Sequence, residues 1–378
     1  MRKIFLTAIA VLSIATTQVF GMYGVDTDWI NFLTHGNQFR ARLDQLGFTL
    51  GNDTIKGTFG FDNNADYGGV YGSILSHDTS IYYDFVPTIS MGIGYTSSAI
   101  SVGVGYNATI GPRNLKFNGK TDYKSVNDSA HTPVLVLNAL DNAFRMAIPI
   151  QVFVDKDKTP YGDYNITAVS VDSQFRYYTG LDMLPQVRLY LRYGNVSYKD
   201  ETGIFSTSNS KGKFMESFGF DFRLYFGATV EEVALQPFIK LVYNGALGKY
   251  HNVTRVEAVK YMRDAYTTSD VAWEKSAWDL DLTAALGLTA NSDIVSIYLE
   301  PSLGLKVNQA GSATDKNNKE TYGLGYNVYG EIYITPIKNL EWYFEASIGN
   351  VGTGSTPATT KALSFAGTTG ITWYLPAL

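Results

Sequence analysis

The chain has 378 residues, no cysteine, 36 glycines, 27 tyrosines and 21 phenylalanines, and its net charge is −5. An acidic balance argues against a nucleic-acid-binding protein, which normally carries a basic surface. Hydrophobic residues reach 45% and charged residues only 17%, and after residue 20 no apolar run approaches the roughly 18 residues of a membrane-spanning helix. The composition excludes a helical membrane protein and a disordered chain, and favours a large all-β protein.

The first 36 residues divide into two parts. Arg2 and Lys3 precede the apolar run Ile4–Ile14, and Gly21 follows a short polar stretch. This is the pattern of a signal peptide, here residues 1–21, so we predict export. No cysteine is present for a lipid anchor or a disulfide. Residues 22–36 are predicted to form a periplasmic segment or a plug, in which residues 28–33 form either a short helix or an extra strand.

From residue 37 onward, apolar residues alternate with small or polar residues in segments of roughly ten residues, the period of a β-strand. In residues 99–110, for example, Val102 and Val104 alternate with Ser101 and Gly103. We count about fifteen such segments, and a closed outer-membrane barrel needs an even number of strands. The sequence therefore predicts a transmembrane antiparallel β-barrel over residues 37–378, with sixteen strands, or fourteen as the alternative.

The lengths of the connections separate a barrel from a soluble β-sandwich, which also alternates. Short turns are predicted at residues 51–53, 96–98, 141–142, 291–293 and 336–339, and long connections at 62–80, 111–132, 198–212, 245–275, 308–320 and 349–361. Short turns at one end and long loops at the other are typical of outer-membrane barrels. Glycine and serine on the non-apolar phase also suit the inner wall of a wide barrel.

Aromatic residues near the segment ends predict two girdles at the lipid headgroups, because amphipathic rings favour that level. The alternative is an aromatic sandwich core. The candidates are Tyr95, Tyr106, Tyr164, Tyr177, Tyr193, Phe214, Phe226, Tyr243, Trp278, Tyr326, Trp342 and Tyr374.

Charged residues fall on the phase opposite the apolar one and are predicted to line the pore. The basic candidates are Arg40, Arg42, Arg145, Arg176, Arg188, Arg192, Arg223 and Lys240; the acidic ones are Asp279, Asp281, Glu300, Glu331, Glu341 and Glu345. Basic and acidic walls that face each other would impose a transverse field on passing solutes. The alternative is a filled interior in which these groups form ion pairs. We favour the channel, because sixteen strands normally enclose an aqueous lumen.

The beginning of the predicted mature chain carries a family resemblance. The stretches Gly21-Met22-Tyr23-Gly24, residues 29–42 (WINFLTHGNQFRAR) and residues 44–61 resemble the variable surface proteins of Brachyspira spirochaetes. This resemblance implies a surface-exposed outer-membrane antigen whose loops differ among paralogues, and it implies no catalytic residues. The chain departs from the common barrel signature of a final Phe or Trp, because Pro376-Ala377-Leu378 follow Tyr374.

Three functions follow as hypotheses: a surface antigen that displays its loops to the host, a general diffusion porin for small hydrophilic solutes, and a barrel hydrolase. We expect no enzymatic activity and no cofactor or metal. His35, His77, His131 and His251 lack metal-site spacing and are predicted to be solvated loop residues. The expected partners are outer-membrane lipid, the barrel assembly machinery, and host surfaces or antibodies that contact the loops. A homo-oligomer is possible, and nucleic acid is excluded.

Overall fold

The computed structural model describes residues 23, 28–42, 45–63, 84–85, 87–111, 113–114, 128–159, 162–201, 210–230, 233–248, 253–264, 274–350 and 364–376. The predicted signal peptide lies outside these residues, as do His77, His251 and parts of the predicted long connections. Within the described ranges, no helix is long and apolar enough to cross a membrane.

The described chain is almost entirely strand. The strands are β1 (Gln38–Arg42), β2 (Gln45–Gly51), β3 (Ile55–Asn63), β4 (Asp84–Phe85), β5 (Pro87–Tyr95), β6 (Ile100–Ile110), β7 (Arg113–Asn114), β8 (Ser129–Ala139), β9 (Phe144–Thr159), β10 (Gly162–Tyr178), β11 (Gln186–Asp200), β12 (Ser210–Tyr225), β13 (Ala228–Val230), β14 (Val233–Ala246), β15 (Trp278–Asn291), β16 (Val295–Gln309), β17 (Thr321–Ile337), β18 (Leu340–Gly349) and β19 (Ser364–Tyr374). A 3-10 helix spans Asp28–Asn31, and a short helix α1 spans Ala258–Asp264.

The main sheet closes on itself. Its antiparallel order is β1-β2-β3-β5-β6-β8-β9-β10-β11-β12-β14-β15-β16-β17-β18-β19, and β19 pairs back to β1 with Phe39 opposite Trp373. The short strand β13 pairs with β14 beyond the end of β12, and β4 and β7 form a separate ribbon. The prediction of a sixteen-strand barrel is confirmed. Of residues 28–33, considered as a short helix or an extra strand, residues 28–31 adopt a 3-10 helix.

The two faces of the barrel wall differ in chemistry. On β6, Val102 and Val104 point outward and are 43% and 57% exposed, whereas Ser101 and Asn107 point inward and are 2% and 0% exposed. The same alternation leaves large apolar side chains on the outer surface of almost every barrel strand. A continuous apolar band of this extent is unusual on a soluble monomer and is the lipid-facing surface of an outer-membrane barrel.

The connections differ in length between the two ends. At the short-turn end, residues 52–54, 96–99, 140–143, 292–294 and 338–339 join neighbouring strands, and β19 finishes beside the start of β1. Most connections at the other end, the long-loop end, are longer, including residues 247–277 and 310–320. Two connections at this end are short, at residues 43–44 and 160–161. The second of these joins β9 and β10, which are 16 and 17 residues long.

Candidate functional site

Residues 28–36, the N-terminal segment, pack inside the barrel against β5, β6, β8 and β9. Trp29 and Phe32 are both 0% exposed and contact each other edge to face at 5.6 Å. A methyl carbon added to Gly92 would lie 2.7 Å from the Trp29 ring, and one added to Gly105 would lie closer still. Glycines on the inner wall therefore leave the space that this indole occupies.

His35 is half-buried and follows the fully buried residues of the N-terminal segment. Its Nδ1 is 2.9 Å from the Tyr23 hydroxyl, and the Lys56 ammonium donates a hydrogen bond of 2.5 Å to its carbonyl oxygen. Burial lowers the pKa of the His35 imidazole well below its ordinary value, and the nearby charges of Arg40 and Lys56 lower it further. The prediction that His35 is a solvated loop residue is therefore wrong.

A second element enters the barrel from the long-loop end. Residues 253–264, the inner loop, include α1 and lie against β9–β12. The amides of Val256 and Ala258 donate to Ser217 Oγ and Ser170 Oγ, each at 2.8 Å, and the Val259 amide donates to Gln151 Oε1 at 3.2 Å. Inward-facing side chains from three strands thus supply acceptors for backbone donors that would otherwise be buried without partners.

Part of the wall beneath the inner loop is apolar, unlike the polar inner face that strand alternation predicts. Its buried members are Ala130, Phe153, Ile166, Ala168, Val196, Tyr198, Phe214 and Met215. Phe214 was predicted to belong to the outer girdle, but the β11–β12 register shifts there, with Val196 opposite Met215 and Ser197 opposite Lys213. This β-bulge reverses the phase, so Phe214 turns inward and stacks on Tyr198 at 4.4 Å.

All fourteen predicted pore-lining residues occur on the inward phase of their strands. On the basic side, Arg145 and Arg176 both donate to Asn31 Oδ1 at 3.2 Å, so the N-terminal segment lies directly on these two guanidinium groups. Arg188 is 2% exposed, donates to Gln186 Oε1 and lies over the Tyr225 ring. This wall is therefore covered in part by the protein's own segments.

Two inward carboxylates on the basic wall were not predicted. Asp172 Oδ2 lies 3.1 Å from Arg192 Nε and 2.8 Å from an Arg255 nitrogen of the inner loop. Asp221 pairs with Arg223 at 2.6 Å. Asp221 lies between Phe220 and Phe222, which is the signal that could have identified it, whereas Asp172 has an apolar neighbour on one side only, Val171. Because they pair locally, the basic wall is partly neutralised without contact across the lumen.

The opposite wall, on β15–β19 and β1, combines carboxylates with inward tyrosines. The Tyr329 hydroxyl lies within hydrogen-bond distance of Glu331 and, at 2.8 Å, of Glu345, and its single proton serves one carboxylate at a time. Tyr333 donates to Glu331 at 2.8 Å. Glu345 also pairs with Arg42 at 3.1 Å.

Further contacts lie along the same wall. Tyr298 donates to Glu300, Asp281 pairs with Lys306 at 3.4 Å, and Asp279 accepts from Asn244 at 3.3 Å. Lys240 is directly opposite Thr283 and Arg223 in the sheet. The inward tyrosines were missed because tyrosine was assigned to the lipid boundary.

Most predicted girdle residues lie on the outward phase, in two groups. The group near the short-turn end consists of Tyr95, Tyr177, Trp342 and, directly after β12, Phe226. The group nearer the long-loop end consists of Tyr106, Tyr193, Tyr243, Trp278 and Tyr326. Tyr374 differs from the prediction, since its hydroxyl donates to Glu341 inside the barrel at 3.2 Å and Trp373 faces outward, 55% exposed. The Tyr164 side chain lies outside the described residues.

The closed wall, its apolar exterior and its polar interior define an outer-membrane β-barrel. The profile of the Serpulina hyodysenteriae variable surface protein family matches residues 2–374. The chain belongs to this family, which confirms the resemblance found in the sequence and, together with the fold, locates the protein in the outer membrane.

Solved structures with related shapes are also outer-membrane proteins, but at low similarity. OmpT of Vibrio cholerae, as a loop L8 deletion mutant, is 10% identical over 90% of this chain and 97% of that chain, with a TM-score of 0.33. In-vitro folded OmpT is 8% identical over 90% and 96%, with a TM-score of 0.34. Wzi of Escherichia coli, described as a carbohydrate-binding β-barrel involved in capsule assembly, is 8% identical over 90% and 84%, with a TM-score of 0.27. No curated protein matches the chain.

Proposed function

We propose that the protein displays its long connections at the cell surface as antigenic loops for contact with host surfaces or antibodies. The main observation that supports this proposal is that the connections at one end of the barrel are longer than those at the other end. The chain also belongs to the variable surface protein family. The connection of residues 310–320, in which residues 314–317 are exposed, contrasts with turns such as 292–294. Long exposed connections tolerate sequence variation because few packing contacts constrain them.

Cysteine labelling tests this orientation, because the chain contains no cysteine of its own. Thr314 is exposed in the connection 310–320, and Asp293 is exposed in the turn 292–294. On intact cells, a membrane-impermeant maleimide should label Thr314→Cys, and it should label Asp293→Cys only after the outer membrane is permeabilised. Labelling of Asp293→Cys alone on intact cells would contradict surface display of the long loops.

A second candidate function, diffusion of small hydrophilic solutes, is supported by a specific feature of the interior. The side chains of Asp281 and Lys306 form an ion pair inside the barrel, yet remain 31% and 20% exposed. The exposed fractions of these two side chains indicate that water reaches this wall. They support a passage beside the N-terminal segment and the inner loop. Planar-bilayer recordings test it: pure refolded protein should produce conductance steps, and their absence would remove this function.

We infer further that the protein is not an enzyme and that residues 22–36 act as a plug behind a cleaved signal peptide of residues 1–21. Within the described residues, no group of three or more potential metal ligands occurs. We also propose that the barrel assembly machinery recognises β19. A further proposal is that copies of the barrel associate as a homo-oligomer, which cross-linking tests. Esterase or protease turnover by purified protein, abolished by a point substitution, would reverse the non-enzymatic proposal.

A further inference from the structure

Three lysines form a row on the outer surface of the barrel, near the long-loop end. Asn165 of β10 is opposite Lys156 of β9 on one side and opposite Lys199 of β11 on the other. Lys199 is in turn opposite Lys211 of β12. All three lysines are exposed, whereas Asp200, which follows Lys199, faces inward and is 0% exposed. We name Lys156, Lys199 and Lys211 the lysine row.

The lysine row lies at the edge of the apolar band. Strands β9–β12 contain 15 to 17 residues, whereas about 9–11 residues of a tilted strand cross the hydrocarbon layer. Lys156 follows twelve residues of β9 that begin with Phe144 at the short-turn end. Twelve residues at a rise of about 3.3 Å and a tilt of about 40° cover about 30 Å along the membrane normal, more than the apolar band of about 25 Å. The row therefore lies at the level of the lipid headgroups.

The outward face changes from apolar to basic at this level. On β9, the outward residue before Lys156 is Val154, which is apolar and 40% exposed. At the long-loop ends of β17 and β19, by contrast, the outward residues are Tyr322 and Phe365, which are uncharged and 68% and 75% exposed. A partner that selects for positive charge would therefore contact the β9–β12 sector and not the β17–β19 sector.

The ammonium groups of the lysine row are available to such a partner. Lys199 pairs with Glu201 at 3.0 Å, and the two side chains are 69% and 41% exposed. An ion pair this exposed is weak, so another anion can compete for the ammonium group. Within the described residues, neither Lys156 nor Lys211 forms a salt bridge. The row therefore keeps an excess of positive charge.

We propose that the lysine row binds the headgroups of anionic phospholipids in the membrane leaflet at the long-loop end. Lysine can place its alkyl stem against acyl chains and its ammonium group among the headgroups. Phosphate oxygens are strong acceptors for charged donors, and anionic lipids attract clustered lysines at a membrane surface. The position of the row on the lipid-facing wall favours a lipid over a soluble polyanion, which would contact the loops. This inference goes beyond loop display and solute diffusion and depends on neither.

Quenching by brominated lipids tests the preference at the row itself. Thr167 faces outward on β10, two residues from Asn165, and Thr167→Cys carries a bimane fluorophore in protein reconstituted into vesicles. The vesicles contain equal amounts of phosphatidylglycerol, which is anionic, and phosphatidylcholine, which has no net charge. Bromine is attached to the acyl chains of one lipid or of the other. Comparing the two lipids at one label position cancels the effect of its depth.

The label at Thr167→Cys should report a preference for phosphatidylglycerol over phosphatidylcholine of about fivefold, the contribution of about one lysine near an anionic membrane surface. Molar salt should reduce the preference, because it shortens the screening length to about 3 Å. Lys156→Gln/Lys211→Gln should remove most of the preference, because two of the three ammonium groups are lost. The same label on Leu324→Cys, which faces outward on β17, should show no preference.

The matched control removes two positive charges at the same end of the barrel but in another sector. Lys316 and Lys319 are exposed in the connection of residues 310–320, and Lys316→Gln/Lys319→Gln should retain the preference at Thr167→Cys. If the lysine-row variant does not fold, shown by the loss of heat-modifiable migration in gels, Lys211→Gln alone is compared with the control.

Two results would overturn the proposal. One is equal quenching by the two lipids at Thr167→Cys, and the other is an equal preference in the lysine-row variant and the control. Both leaflets of these vesicles have the same composition, so the result does not depend on which end of the barrel faces outward. Cysteine labelling of intact cells can therefore fail while the lipid preference holds, and the reverse.

Discussion

Single inner-wall glycines decide how the N-terminal segment packs. Gly105 occurs where the indole of Trp29 meets β6, and any side chain there would overlap the ring. We expect Gly105→Leu to destabilise the folded barrel by about 1–3 kcal/mol through overpacking, and Trp29→Ala to cost about 3–5 kcal/mol through the cavity that it leaves.

The combination of these two substitutions identifies the contact. The double variant should be more stable than the sum of the single effects predicts, because leucine then occupies space that the indole has left. Val104→Leu is the matched control, since Val104 is the adjacent residue and faces outward; it should leave stability almost unchanged. Strictly additive effects in denaturant unfolding would show that Trp29 does not lie against Gly105.

His35 gives the fold a pH dependence with a definite sign. Burial lowers the pKa of its imidazole in the folded state, and the charges of Arg40 and Lys56 add to this effect. In the unfolded chain its pKa is about 6.5, so the unfolded state binds more protons as the pH falls. The contribution of neutral His35 to stability is present above that pH and is lost below it.

The corresponding variant is His35→Gln. In melting curves recorded from pH 8 to pH 5, the wild type should lose more stability than His35→Gln over the same interval. Gln retains a polar side chain beside Tyr23 but cannot bind the proton. A pH profile that is unchanged by the substitution would show that His35 is not held neutral in the folded protein.

Among the elements, the inner loop is held by inward hydroxyls of the wall. Ser217→Ala leaves the Val256 amide without its acceptor, and a buried unsatisfied donor costs about 1–3 kcal/mol. We expect faster hydrogen exchange at Val256 and faster tryptic cleavage after Arg255. Ser302→Ala is the control, since Ser302 also faces inward but donates to Asn327 O, away from the loop. Equal exchange rates in both variants would contradict this attachment.

Elements also show what the sequence could predict. The alternation of apolar with small or polar residues located the strands, because successive side chains of a strand face the lipid and the barrel interior in turn. For the N-terminal segment it left a periplasmic position and a plug both open, and it gave no sign of the inner loop, whose contacts join positions far apart, such as Ala258 with Ser170. Strict alternation also misassigned Phe214, because a β-bulge has no clear signal in one sequence.

In the whole molecule, barrel closure and local pairing modify the predicted separation of basic and acidic walls: β1 pairs with β19, so Arg40 and Arg42 lie on the acidic wall. Asp172 and Asp221 neutralise part of the arginine wall, and Arg42 neutralises Glu345 on the acidic side. The two internal segments cover the β5–β12 side, and Tyr298, Glu331 and Tyr343 of the opposite wall are also buried, at 2%, 3% and 4% exposure. Sequence phase predicted which side chains face inward, whereas the distribution of free charge depends on the three-dimensional packing.

The central claim about the whole molecule is that lipid covers its apolar face, and adjacent residues on β16 test it most directly. Leu303 faces outward and is 56% exposed, whereas Ser302 faces inward. A nitroxide spin label is attached to Leu303→Cys or to Ser302→Cys, and the protein is placed in lipid bilayers. At 303, collisions of the label with oxygen should dominate. At 302, collisions with a water-soluble relaxation agent should be relatively stronger. No preference for oxygen at 303, or a protein that stays monomeric in water without detergent, would contradict the account.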